Sequence, residues 1–137
     1  RMSRCFPEPA PVMAAYRLHR GVDARDVADA HAAALESSSG GFRRFIISGA
    51  TPFIPEDCQE LLGSAPAALR RRAPGLVREF ARRGWELPGS IDRVYCSHKA
   101  VQELGWNPQY GFGEVLAEYD RRSPEVLPPP RLVGATR

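Results

Sequence analysis

Apolar positions recur at helical spacing in four stretches of the chain. In Arg25–Ser37, Val27, Ala30, His31, Ala34 and Leu35 stand at i, i+3, i+4, i+7 and i+8, which predicts a helix with one buried stripe. Asp26 is placed to cap that helix or to sit in its first turn, and the run Ser37–Gly41 ends it. From Pro74, the residues Leu76, Val77, Phe80 and Ala81 form a second stripe, stopped by Gly84. Ala100, Val101 and Leu104 predict a short helix closed by Gly105, and Phe112, Val115, Leu116 and Tyr119 a last one. A further helix is expected after Pro55, where Glu56 and Asp57 suit a first turn.

Two stretches favour strands instead. Phe45, Ile46 and Ile47 are β-formers between Gly40-Gly41 and Gly49, and "SIDRVYCS" (Ser90–Ser97) is rich in β-branched and aromatic residues. Pro7, Pro9 and Pro11 predict an extended lead-in over residues 1–16, and residues 121–137 read as a proline-rich tail. The order helix, strand, helix, helix, strand, helix, helix over 17–120 predicts an α/β fold, a partial domain with too few strands for a sheet of its own. The strand around Phe45 is therefore expected to pair outside the chain, in a homo-oligomer or with a complementary cofactor-binding chain.

Composition narrows the classes. The 137 residues suit one domain, and 43% hydrophobic content can supply a core. No apolar run is long enough to cross a membrane, and the N-terminal residues lack a secretory apolar region. Cys5, Cys58 and Cys96 are scattered and odd in number, which predicts reduced thiols in a cytoplasmic protein. Nineteen basic residues against sixteen acidic ones leave +3, too diffuse to indicate nucleic acid. Arg70-Arg71-Arg72, the densest basic run, reads as a solvated helix face. His19, His31 and His98 have no metal-ligand spacing, so no metal site is expected, and His31 reads as a buried histidine bonded to backbone. Trp85 and Trp106 read as packing anchors.

Three segments, in order, carry a likeness to a known family. "HRGVDARDVADAHAAALES" resembles the Val-His-Val-x-Asp-Val-Ala-x-Ala segment of extended short-chain dehydrogenase/reductases, the NAD-dependent epimerase/dehydratase family. "FRRFIISGATPFIPEDCQEL" is similar to the strand and helix that follow there, and "DRVYCSHKAVQELGWNPQYGFGEVLAEY" to the C-terminal Lys-Ala-x-x-x-Leu-Gly-Trp-x-Pro signature. The resemblance covers about Arg17 to Tyr119 and implies the substrate-binding C-terminal part of such a protein. NAD or NADP is implied for a complete member. None is expected on this chain alone, which has no glycine-rich turn between a strand and a helix.

Tyr95 and Lys99, the only lysine, have the Tyr-x-x-x-Lys spacing of the family's acid/base pair. That pair needs both residues on one helix, one turn apart. Here Tyr95 is expected in a strand and Lys99 in the helix after Ser97, so no catalytic residue is assigned. The resemblance implies an arginine on the substrate near the first motif. His19 takes that position and Arg20 is one place late, while Asp23 replaces the family histidine. Arg20 and His19, with Arg93 in a looser second region and Tyr16 at the entry to the lobe, are the candidate substrate-binding residues. The alternative is a non-catalytic small-molecule or protein-binding module derived from that family.

Overall fold

A computed structural model describes residues 9–37 and 40–124. The first helix, α1 (Pro9–His19), lies where the prolines predicted an extended lead-in. Proline at the first position and in the first turn of a helix gives up only N–H groups that have no partner there. Pro9 and Pro11 therefore start a helix, and Ala10, Ala14, Ala15 and Leu18 bury its inner face. Pro7 and the prolines of the tail from residue 125 lie outside the described residues.

The other helices are α2 (Ala24–Glu36), α3 (Cys58–Arg72, entered through a 3₁₀ turn at Pro55–Asp57), α4 (Pro74–Arg83), α5 (His98–Leu104) and α6 (Phe112–Asp120). No strand occurs among the described residues, so the α/β expectation is overturned: this is an all-helical fold. Segments 42–48 and 90–96 are neither helix nor strand, and neither finds a neighbour to form a ladder. β-propensity reports a fit to a pleated surface, and the surface itself is missing here. In 43–47 the side chains still alternate. Those of Arg43, Phe45 and Ile47 are half-buried, and those of Arg44 and Ile46 face solvent.

The main core joins α1, α3, α4 and α6 around Leu61, Leu69, Leu76 and Phe80, all essentially inaccessible. Phe80 meets Trp85 edge-to-face at 5.5 Å, and Trp85 meets Tyr119 at 5.1 Å, tying the α4 stripe to α6. Gly84 and Gly105 close α4 and α5 at φ of 69° and 66°, the left-handed geometry expected at both positions.

α3 is bent at Ser64, just before Pro66. The bend breaks the bond between the Ala65 N–H and the Leu61 carbonyl, and the loop after α4 takes up both groups. Ala65 N donates to Gly89 O at 3.1 Å, and Ile91 N donates to Leu61 O at 2.8 Å.

A smaller core lies between α2 and α5, around Ala30, Ala100 and Trp106. The buried face of α2 is Asp26 and Ala30 rather than the whole predicted stripe, since Leu35 is 89% exposed. His31 is exposed as well, with Nδ1 donating to Val27 O at 2.7 Å; the backbone bond is present and the burial is not.

Candidate functional site

α1 ends in Tyr16-Arg17-Leu18-His19, and Arg20 follows with its N–H still bonded to Tyr16 O, so the helical repeat sends Tyr16, His19 and Arg20 to one side. There they meet the chain between Glu86 and Asp92 and line one cleft of about 300 Å³. The Tyr16 and His19 rings pack edge-to-face at 5.3 Å, and the Arg20 guanidinium lies 4.2 Å above the Tyr16 ring. Arg20 Nη1 reaches Asp92 at 3.5 Å. Glu86, Ser90 and Asp92 form the polar wall, while Val12, Pro88 and Ile91 supply apolar surface.

His19 is buried, and its Nδ1 stands 3.1 Å from the Arg93 carbonyl. A carbonyl can only accept, so Nδ1 carries the proton. Burial pushes the imidazole below its ordinary pKa, aided by the Arg20 charge and opposed by the Arg93 carbonyl and Asp92. His19 is thus neutral at pH 7 and positions the 92–95 backbone, whose Tyr95 N–H donates to His19 O at 2.6 Å. Three of the four sequence candidates share the cleft; Arg93 stands beside it. Its exposed guanidinium is held above the usual arginine range by the Tyr95 side chain and then by Asp92, to which Nε donates at 3.0 Å.

Tyr95 lies before α5, in chain that is neither helix nor the expected strand, and Lys99 lies in α5, so the two are not on one helix. Lys99 Nζ donates to Arg44 O at 3.2 Å and lies 5.0 Å from the Phe45 ring. Ser97 holds the N-cap position of α5, without a capping bond from its side chain.

Asp26 was legible only as a helix-start acid. It is 0% exposed and accepts the N–H groups of Gln109 at 2.8 Å and Tyr110 at 3.1 Å. Trp106 Nε1 donates to Asp26 O at 3.0 Å. One first-turn carboxylate thus fastens the chain after α5 to the start of α2. The Gly-Trp-x-Pro spelling around Trp106 was the only signal, and nothing in it named Asp26 as the partner.

The N-cap of α2 is Asp23, which accepts from Arg25 N and also takes the Arg17 and Arg25 guanidinium groups at 3.0 and 2.9 Å. The Arg25 side chain, with help from its backbone N–H and from Arg17, holds the Asp23 carboxyl at a pKa of about 2. An unfolded aspartate titrates near pH 4. Since the folded value is the lower one, Asp23 stabilises the fold fully above about pH 4, and that contribution disappears as pH falls through about 2. Carboxyl chemical shifts are expected to place its midpoint near 2, and Asp23→Asn is expected to flatten the acid limb of the stability curve. A midpoint near 4 would refute this.

The arginine run is a solvated face only in part: Arg70 and Arg71 are exposed and Arg72 is half-buried. Arg71 and Arg72 both clamp the buried Asp57, each at 2.8 Å, and Arg71 also pairs with Glu60. The Ile54 N–H, Arg72 and Arg71 together keep the Asp57 carboxyl well below the usual range.

Among the described residues, no three histidine, cysteine or acidic side chains converge as metal ligands. Cys58 and Cys96 are exposed free thiols, and no described helix is long and apolar enough to cross a membrane. The described residues form an all-helical unit with a charged cleft at the end of α1. No protein-family profile, curated protein or solved structure matches the chain.

Proposed function

We propose that the chain is the substrate-binding portion of an NAD(P)-dependent epimerase-, dehydratase- or reductase-like protein, with the cofactor-binding part supplied by another segment or chain. The supporting observation is how the three segments of the resemblance lock together. Asp26 of the first accepts two amides of the third, and Ser48 of the second donates from Oγ to Tyr95 O of the third at 3.2 Å. The cleft beside α1 is the substrate site of this reading. One guanidinium, two carboxylates, a serine hydroxyl and an aromatic ring suit a polyhydroxylated ligand, because hydroxyls can both donate to acids and accept from arginine. Cys58 and Cys96, exposed as thiols, suit a cytoplasmic setting.

The test is saturation-transfer NMR of the full chain with methyl glucoside as the probe. Transfer to the sugar protons is expected, with loss in Tyr16→Ala and in Arg20→Gln at unchanged helicity. No transfer, or equal transfer in both variants, would remove the cleft from the reading.

A second reading is the stand-alone non-catalytic module; the separation of Tyr95 from Lys99 is common to both readings. The gene sequence upstream of Arg1 and the mass of the native product decide between the two. A glycine-rich βαβ unit in frame supports the first; a native product starting at Met2 with no co-purifying partner supports the second. Under either, Phe45, Ile46 and Ile47 make no backbone hydrogen bond within the described structure, so we read this segment as pairing with a second copy or a complementary chain. Sedimentation at high concentration is expected to show association, and a strict monomer would contradict it.

A further inference from the structure

A separate cleft on another side of α1 is lined by two arginines and no acidic residue. Arg17 and Leu18 line it from α1, Thr51 and Pro52 from the chain before α3, Arg72 from the end of α3 and Phe112 from the start of α6, around a volume of about 310 Å³. The two arginines are its only charged lining residues. Arg17 spends Nη2 on Asp23, while its Nη1 is buried without a partner. Arg72 spends Nε and Nη2 on Asp57, leaving Nη1 uncommitted. Thr51 Oγ1 accepts from Phe53 N, which leaves its hydroxyl proton free to donate. Gly111, which precedes α6 and lines the same cleft, has no side chain to cap the first amides of that helix. A buried, unpaired guanidinium nitrogen is a group in want of an acceptor.

We propose that this cleft binds an organic anion with an apolar body. Its carboxylate would answer Arg17 and Arg72, because two oxygens in a plane match the guanidinium fork. Its hydrocarbon part would cover Leu18, Pro52 and Phe112, removing their apolar surface from water. The site is distinct from the Tyr16–Arg20 cleft and does not depend on the enzyme-family reading.

Calorimetry of the full chain with octanoate tests it, with octanol as the uncharged control. Octanoate is expected to bind with a Kd below about 1 mM, and octanol not to bind at that level. Arg72→Gln is expected to weaken octanoate by about tenfold or more, since a charge-assisted bond is lost. Asp57 keeps the Arg71 and Ile54 contacts in that variant, and circular dichroism checks its fold. Ala50→Phe, at a lining residue whose side chain carries no charge, is expected to block the cleft and serves as the deciding variant if Arg72→Gln unfolds. Tyr16→Ala is expected to leave octanoate binding unchanged, which keeps this result separate from that of the sugar cleft. The proposal is overturned by no octanoate binding, by equal binding of octanol, by unchanged affinity in both cleft variants, or by loss in Tyr16→Ala.

Discussion

Asp26→Ala is expected to lower the unfolding free energy by about 2–5 kcal/mol, because two hydrogen bonds to a charged acceptor are lost, each worth about 1.5–3 kcal/mol, and water reaching the exposed Gln109 recovers part of that. The donors are the amides of Gln109 and Tyr110, and the carboxylate that serves them is fully inaccessible to water. A loss of that size is a large part of the ~5–15 kcal/mol by which a domain of this kind is stable. Asp26→Asn should recover part of it, since its one amide oxygen accepts from a single N–H and its NH₂ opposes the other. Urea unfolding reads the effect as a lowered midpoint at constant slope. An unchanged midpoint for the alanine variant would show that the joint between α2 and the 106–110 segment carries no stability. Because the same joint links two segments of the family resemblance, that outcome would also weaken the proposed function.

Phe80→Ala is the second large effect, expected at about 3–5 kcal/mol from lost burial plus the cavity left behind. Phe80 is 1% exposed in the main core, and it holds Trp85 edge-to-face at 5.5 Å. Trp85 in turn meets Tyr119 of α6, so the cavity would loosen the seam between α4 and α6. Trp85 fluorescence should report the change directly. Phe42→Ala is the matched control: Phe42 is 92% exposed, and its loss should stay within about 0.5 kcal/mol. Comparable losses in the two variants would mean that Phe80 is not a core residue.

The candidate site was partly legible. Tyr16, His19 and Arg20 are close in sequence, so any helix through them brings the three to one side, and the structure does so. Their acidic counterparts, Glu86 and Asp92, come from a loop about seventy residues away, and no local pattern announces such a meeting. The same limit hid the second use of Arg72. A run of three arginines looks like a solvated face until a buried aspartate fourteen residues earlier claims two of them.

By itself the amino-acid order determined where helices begin from Ala24 onward, and the ends of α2, α4 and α5, because stripes, first-turn acids and glycines with left-handed geometry act over one or two turns. It also determined that Tyr95 and Lys99 do not share a helix. Tertiary structure alone decided three other things. Pro9 and Pro11 open a helix, because α1 has a core to bury its alanines in. Phe45–Ile47 forms no strand, because a ladder needs a neighbouring backbone that propensity cannot supply. Asp26 becomes a buried joint, because two amides more than eighty residues away arrive where its carboxylate stands.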